Sequence, residues 1–201
     1  MLIKVHTDNP NAREVSAVAE TLRRDGVVVC PTDTVYAFVC ALTSKKAYER
    51  MLQIKGVREK DANFSLIFPD LSTLSTYAKV DNQAFKVLKQ NLPGAFTFIF
   101  NASGKVPDKL LSRRKNIGIR IPHNKTVMAI LEQLDCPLLT TSVRSGSSAE
   151  YPTDPEELHE QYEKLVDMVI DGGAGGIIPS TVVDCTTQPY ELVREGKGTL
   201  V

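Results

Sequence analysis

Apolar positions recur along the chain in two patterns, and together they predict a protein with both helices and strands. In residues 11–24 the apolar positions recur every three to four residues, from Val15 to Leu22, which predicts a helix with one buried face. Pro10 suits the first helical position, and Asn9 is the expected cap. The same periodicity predicts further helices at residues 44–54, 71–78, 81–90, 124–134 and 158–165.

Short apolar runs bounded by turn residues predict the strands. They fall at residues 27–30, 64–68, 96–100, 117–121, 138–141, 166–170, 181–185 and 191–193. These strands and helices intermix without strict alternation, and no repeat or linker divides the chain. The pattern therefore favours one α/β domain over residues 1–201, with an open, twisted, mixed sheet and helices on its faces.

Composition narrows the class of protein. With 42% hydrophobic and 24% charged residues, a chain of 201 residues can bury one large core, as ordinary globular proteins do. No apolar run approaches the roughly 20 residues needed to span a bilayer. The first ten residues lack the basic region and apolar stretch of a secretory signal. We therefore expect a cytoplasmic protein with no membrane partner.

The cysteines and histidines argue against disulfides and metal. All four cysteines lie in or beside apolar segments without a C-x-x-C pair, which predicts reduced and mostly buried thiols. These cysteines are Cys30, Cys40, Cys136 and Cys185. The histidines are scattered and show no ligand spacing, so we expect no structural metal.

The net charge of zero conceals a basic zone at residues 105–125. Its basic side chains are those of Lys105, Lys109, Arg113, Arg114, Lys115, Arg120 and Lys125. Such a zone can attract the phosphates of a nucleotide or of RNA. It has no interleaved aromatic residues, which makes single-stranded nucleic acid a poor match.

The segment 26–36, GVVVCPTDTVY, carries the strongest local signal. A buried strand ends at Pro31, which has no N–H to donate. A cluster of short polar side chains follows, from Thr32 through Asp33 to Thr34, with the hydroxyl of Tyr36 just beyond. Ligands of open sheets bind at strand ends of this kind, which favours a site. The alternative is a helix start, with Thr32 or Asp33 as the cap.

Segment 26–36 resembles the opening signature of the YrdC/YciO family, the threonylcarbamoyl-adenylate synthase superfamily. Other stretches match family motifs in the same order along the chain. They are LPGAFTFIF at 92–100, IGIRIP at 117–122, LLTTS at 138–142, PSTVVD at 179–184 and VREG at 193–196. The resemblance covers the chain from about residue 9 to its end and implies a YrdC-like fold with a concave basic cleft.

The resemblance also implies a function. The best-known members make threonylcarbamoyl-AMP from threonine, bicarbonate and ATP for the t6A modification of tRNA, which makes them transferases of tRNA processing. It implies a nucleotide-binding protein that takes ATP or an AMP-containing adenylate, with Mg²⁺ as the nucleotide counter-ion. The implied binding residues are Thr32, Thr34, Tyr36, Lys55, Arg58, Arg120, Thr141, Ser142, Ser180, Thr181 and Arg194.

Two family motifs are altered in this chain. The family's K-x-R motif becomes Lys55 and Arg58, with the arginine three residues on instead of two. The T-S-x-N motif ends in Arg144 instead of asparagine. These changes are similar to the YciO branch. The resemblance implies formation of the adenylate or action on it, for instance hydrolysis, and the altered positions suit hydrolysis because it does not need an aligned triphosphate. The alternative function is a binding module for double-stranded RNA or tRNA without catalysis, with phosphate contacts in the basic zone.

Overall fold

The computed structural model describes residues 1–110, 115–144 and 150–201. Its strands are β1 (Leu2–Lys4), β2 (Val28–Cys30), β3 (Ala37–Ala41), β4 (Ser65–Ile67), β5 (Phe96–Asn101), β6 (Asn116–Arg120), β7 (Leu138–Ser142), β8 (Met168–Asp171), β9 (Thr181–Asp184) and β10 (Glu191–Arg194). Its α-helices are α1 (Ala12–Arg23), α2 (Lys45–Lys55), α3 (Leu71–Tyr77), α4 (Asn82–Asn91), α5 (Lys125–Glu132) and α6 (Pro155–Tyr162).

Each of these helices begins where a short polar side chain accepts a hydrogen bond from a backbone N–H of the first turn. The capping residues are Asn11, Ser44, Asp70, Asp81, Asn124 and Asp154. The expectation that Asn9 caps the first helix is wrong, because the Asn11 side chain accepts from the Arg13 N–H. Helix α6 starts three residues earlier than predicted, since Asp154 caps it and Pro155 fits its first turn.

The strands form one mixed sheet in the order β1-β8-β2-β3-β7-β4-β6-β5-β9-β10. Strands β1, β8 and β2 run parallel, as do the pairs β4–β6 and β5–β9. The other neighbouring strands are antiparallel. The expected α/β domain with an open mixed sheet is thereby confirmed.

Strands β1 and β3 were not predicted. All five residues of β3 are buried, because this central strand lies between β2 and β7 with side chains packed on both faces. Its sequence therefore lacks the alternation that marks a half-buried strand. The helix start considered for Thr32 or Asp33 is also wrong, since the chain turns after β2 and returns antiparallel as β3.

Helices cover one face of the sheet more completely than the other. Side chains of α2, α3, α4 and α6 pack on the face that carries Phe38, Leu66 and Phe98. Helices α1 and α5 pack on the opposite face, against residues of β2, β3, β4, β7 and β8 such as Val39 and Ile67. Among the described residues, this second cluster includes none from β5, β6, β9 or β10. That half of the second face is left open, and it forms the floor of a cavity.

Among the described helices, none combines the length and the apolar character needed to cross a bilayer.

The cysteine prediction holds for only part of the set. Cys30 and Cys40 are buried, whereas Cys136 and Cys185 are partly exposed. Burial raises the pKa of the Cys30 and Cys40 thiols to about 12. Both therefore stay protonated and inaccessible near neutral pH, and a thiol is far less reactive than its thiolate.

We expect a thiol reagent such as iodoacetamide to modify Cys136 of the native protein well before Cys30 or Cys40, because Cys136 is accessible. Peptide mass spectrometry at successive times gives the order of modification. Unfolding in urea should bring all four cysteines to similar rates. Early modification of Cys30 in the native protein would contradict the packing described here.

Candidate functional site

A cavity of about 590 Å³ lies over the open half of the sheet. Small and polar side chains from four adjacent strands line its floor: Thr140 of β7, Ser65 of β4, Gly118 of β6 and Thr97 of β5. Thr140 is paired with Ser65, and Ser65 with Gly118, so these residues form a row directly across the strands. Large side chains at these positions would fill the cavity, which lies over the half of the face that α1 and α5 do not cover.

Alternation along the strands produces this floor. In β5, Phe96, Phe98 and Phe100 point into the core on the covered face, whereas Thr97 and Ile99 line the cavity. A Cβ at position 118 would lie 2.5 Å from the Ser65 hydroxyl oxygen and 3.0 Å from the Thr97 methyl carbon, so any larger residue would displace these side chains of the floor.

A buried ion pair stands at one wall of the cavity. The Nη2 atom of Arg120 donates to Asp33 Oδ1 at 2.8 Å and to the Thr34 hydroxyl at 3.1 Å. The side chains of Arg120 and Asp33 are only 8% and 9% exposed. The other Asp33 carboxylate oxygen accepts the backbone N–H of His123 at 3.0 Å. This pair connects the turn after β2 to the end of β6.

Part of the Arg120 guanidinium remains without a protein partner. Burial lowers the pKa of Arg120, the Asp33 carboxylate raises it, and nearby Arg194 lowers it again. Arginine nevertheless remains charged at neutral pH because its ordinary pKa is so high. In the described part of the chain, the buried Arg120 Nε and Thr140 hydroxyl have no hydrogen-bond partner. Both residues line the cavity, whereas two further buried atoms of this kind, the Thr126 hydroxyl and His159 Nδ1, lie outside its lining.

Ser180 and Arg194 form another part of the cavity wall. The Ser180 hydroxyl lies 2.8 Å from that of Thr97 on the neighbouring strand. Arg194 donates from Nε and Nη2 to the Ser180 carbonyl oxygen, at 3.1 and 2.8 Å. These bonds hold the guanidinium against the start of β9. Among the described lining residues, Arg120 and Arg194 are the charged ones, and Asp and Glu are absent.

Several residues implied by the family resemblance line this cavity. They are Thr34, Arg120, Thr141, Ser142, Ser180 and Arg194. They come from the turn after β2, from β6, β7 and β10, and from the residue just before β9, and the sheet brings these segments together. Whether each of them binds a ligand stays a prediction.

Thr32 and Tyr36 do not line this cavity. The Thr32 hydroxyl donates to the Val35 carbonyl oxygen at 2.7 Å and accepts the Thr34 N–H at 3.1 Å, so it stabilises the turn. The Tyr36 hydroxyl donates to the Gly173 carbonyl oxygen at 2.8 Å. Burial raises the pKa of Tyr36 to about 12. The Thr32 hydroxyl thus stabilises the turn that carries Thr34, and the Tyr36 hydroxyl binds the segment around Gly173.

The glycine-rich segment 172–176 packs against Thr34 and Tyr36. A Cβ at position 176 would lie 2.0 Å from the Thr34 carbonyl oxygen, so only glycine allows the two backbones to approach this closely. A Cβ on Gly175 would meet the Tyr36 ring at 2.6 Å. The segment is thus a packed part of the wall behind Thr34.

Lys55, Arg58 and Thr181 also lie outside the cavity lining. Lys55 is adjacent, because its Nζ donates to the carbonyl oxygen of the lining residue Ser142 at 3.0 Å. Arg58 is directed elsewhere and forms an exposed ion pair with Asp61 at 2.7 Å. The Thr181 hydroxyl donates to the Gly198 carbonyl oxygen at 2.6 Å, and it holds the C-terminal segment.

Sequence reasoning missed the floor residues and the role of Asp33. The floor does leave a signal, since Thr97 and Gly118 are the small members of the alternating strings FTFIF and IGIR. Asp33 was noted within its turn, but nothing local indicates that its partner is Arg120, 87 positions away.

The chain is therefore an α/β protein with a cavity over an open sheet, lined by hydroxyls and guanidinium groups. The Sua5/YciO/YrdC family model, whose description reads "Telomere recombination", matches residues 20–196. YciO from Escherichia coli is 44% identical over 195 residues, covering 96% of this chain and 94% of the relative. The protein belongs to the Sua5/YciO/YrdC family, which confirms the resemblance found in the sequence.

Other relatives extend the comparison. The crystal structure of E. coli YciO matches with a TM-score of 0.94 at 42% identity, covering 99% of this chain and 97% of that one. A threonylcarbamoyl-AMP synthase from Hydrogenovibrio crunogenus is 29% identical, covering 87% of this chain and 94% of the relative. Pyrococcus abyssi Sua5, solved with L-threonine, shares the fold with a TM-score of 0.89 at 24% identity, covering 98% of this chain and 57% of Sua5.

We expect Asp33→Ala to lower the free energy of unfolding by about 3–5 kcal/mol, because it leaves the buried Arg120 charge without its partner. Urea unfolding measures the change. Asp61→Ala is the matched control, since it removes the exposed partner of Arg58 and should cost at most about 1 kcal/mol. Equal, small losses in the two variants would show that the Asp33–Arg120 pair does not hold the wall.

Proposed function

We propose that the cavity binds an adenylate and that the protein acts on threonylcarbamoyl-AMP. The observation that carries this proposal is the convergence of Thr34, Arg120, Ser180 and Arg194 on one cavity whose described lining has no carboxylate. Guanidinium groups and hydroxyls suit a phosphate and a carbonyl oxygen. The names of the synthases among its relatives support the same chemistry.

Hydrolysis of the adenylate is the favoured reaction. Formation from ATP needs positive charge along a triphosphate, with Mg²⁺ as the counter-ion carried by the nucleotide. Arg58, which the altered K-x-R motif offers for this task, is instead bonded to Asp61 outside the cavity. Hydrolysis needs only the adenylate and a water molecule. Arg120 and Arg194 at the cavity walls can hold the phosphate of the adenylate.

Water adds to the carbamoyl carbonyl carbon, and the bond from that carbon to the phosphate oxygen breaks. AMP leaves with the negative charge, and the carbamate of threonine then loses CO₂ to give free threonine. Arg120 and Arg194 would stabilise the charge that develops on the departing phosphate. This reaction would remove the activated intermediate of t6A synthesis, which links the protein to tRNA processing in the cytoplasm.

Binding of double-stranded RNA or tRNA remains the alternative proposal. Within the basic zone, Arg113 and Arg114 lie outside the described residues. Arg120 is buried in its ion pair and cannot reach an RNA backbone. Lys105, Lys115 and Lys125 are exposed. Strong weakening with salt would distinguish this mode from binding in the cavity.

We expect the protein to release AMP from preformed threonylcarbamoyl-AMP, and to release no pyrophosphate from ATP, threonine and bicarbonate. Chromatography of both incubations, corrected for spontaneous breakdown without protein, measures the two products. Pyrophosphate in the second incubation would identify a synthase instead. If neither AMP nor pyrophosphate rises above background, the RNA-binding alternative is favoured.

We expect Arg194→Ala to weaken AMP binding about ten- to hundredfold, which corresponds to roughly 1.5–3 kcal/mol for a hydrogen bond to a charged phosphate. The melting temperature should hardly change, because the Arg194 side chain lies at an exposed edge strand. Isothermal titration measures the affinity. Lys105→Ala, an exposed cation outside the cavity lining, is the control and should leave AMP binding unchanged.

A further inference from the structure

The C-terminal segment 194–198 lies against the start of β9. The Lys197 N–H donates to the Pro179 carbonyl oxygen at 2.9 Å, and the Gly196 N–H donates to the Thr181 hydroxyl at 3.1 Å. A Cβ on Gly196 would lie 2.4 Å from the Pro179 carbonyl oxygen, so only glycine allows this approach. Pro179 lines the cavity of about 590 Å³, so the backbone of Lys197 is fixed to one part of the cavity wall.

The Lys197 side chain reaches a different part of the same wall. Its Nζ donates to the Asp33 carbonyl oxygen at 2.6 Å. Asp33 directly precedes Thr34, which lines the cavity, and its carboxylate forms the buried ion pair with Arg120. Lys197 is absent from the described lining of this cavity and borders a neighbouring cavity of about 480 Å³ instead. Its ammonium group therefore acts on the wall and not on a ligand inside it.

These two parts of the wall are far apart in the sheet. Strand β2 leads into the turn that carries Asp33, and β9 follows directly after Pro179 and Ser180. In the described sheet, β3, β7, β4, β6 and β5 lie between β2 and β9, so no backbone ladder joins the two strands. The Lys197 side chain thus links the part of the wall that carries Arg194 to the part that carries Arg120.

The Lys197–Asp33 bond is weak enough to respond to a ligand. Lys197 is exposed, so water competes for its ammonium group, and holding the long side chain in one geometry costs conformational entropy. A ligand that contacts both parts of the wall needs them at a fixed spacing, and it therefore favours the bonded arrangement. Ligand binding and formation of the bond then strengthen each other, because such coupling is reciprocal.

We propose that Lys197 is a positioning residue, which holds Thr34 and Arg120 at the spacing from Ser180 and Arg194 that a ligand in the cavity requires. The identity of that ligand, an adenylate, rests on the proposed function. The link between the two parts of the wall rests only on contacts within the protein. Lys197 directly follows the string VREG at 193–196, and it is not among the binding residues that the family resemblance implies.

Lys197→Met removes the ammonium group and keeps a long side chain. We expect it to weaken AMP binding about five- to tenfold in isothermal titration, because the coupling to the bond is lost. The melting temperature should hardly change, since Gly176 still packs against the Thr34 carbonyl oxygen. Lys197→Arg should restore most of the affinity, because a guanidinium can donate to the same carbonyl oxygen.

Lys125→Met is the matched control. Lys125 is also exposed, its Nζ donates to the Asp8 carbonyl oxygen at 3.0 Å, and it borders the same neighbouring cavity as Lys197. This variant loses the same charge without breaking a link to the wall. We expect it to bind AMP as the native protein does.

Hydrogen exchange of backbone amides tests the link without a ligand. In the free protein, Lys197→Met should speed exchange about twofold or more in peptides that cover residues 32–34 and 194–198, because local opening becomes easier. Lys125→Met should leave the exchange of these peptides unchanged. AMP should slow their exchange in the native protein and slow it less in Lys197→Met.

Each outcome separates the positioning role from the proposed function. If AMP binds the native protein and Lys197→Met equally well, the positioning role is wrong and the adenylate proposal stands. If affinity falls in Lys197→Met and Lys197→Arg does not restore it, the loss does not come from the bond to Asp33, and the positioning role is again wrong. If AMP does not bind the native protein but exchange changes as expected, the adenylate proposal fails and the link stands. If AMP does not bind and exchange is unchanged, both are overturned.

Discussion

The buried ion pair between Asp33 and Arg120 holds the cavity together. Strands β2 and β6 are separated in the sheet by β3, β7 and β4, so no backbone ladder joins their ends. The ion pair instead links the turn after β2 to the end of β6. Asp33 gathers other segments as well, because its carboxylate accepts the His123 N–H and its carbonyl oxygen accepts Lys197 Nζ at 2.6 Å. Burial makes each charge costly without the other, so the wall is stable only when the distant segments are in place.

The cavity itself results from uneven packing of helices on the sheet. Helices α1 and α5 cover only half of their face, and the exposed half carries Ser65, Thr97, Gly118 and Thr140 in place of large apolar side chains. The same strands present phenylalanine and isoleucine to the covered face. One set of strands therefore supplies both the hydrophobic core and a polar floor. Two buried polar atoms without a protein partner, the Thr140 hydroxyl on the floor and Arg120 Nε at the wall, lie at this cavity.

The cations in and around the cavity differ in their partners. Arg120 and Arg194 line the cavity. Arg58 forms an ion pair with Asp61 outside the cavity lining, and Arg144 donates a hydrogen bond to the Tyr151 hydroxyl. Two family motifs are thus altered, by a one-residue shift and by a single replacement, while the family fold is kept. Such changes can alter the reaction without altering the fold, because function depends on side chains placed on the sheet.

The sequence by itself determined the class of fold, most of the helices and strands, and the family, since these depend on local periodicity, caps and motif strings. It did not reveal β3, because a central strand buried on both faces shows no alternation. Local signals also could not separate Thr34, which lines the cavity, from Thr32, whose hydroxyl is used within its turn. The directions of Arg58 and Arg144 and the pairing of Asp33 with Arg120 were decided only by the tertiary structure. These choices depend on which partners the fold brings within a few ångströms, and that information is not local to any segment of the chain.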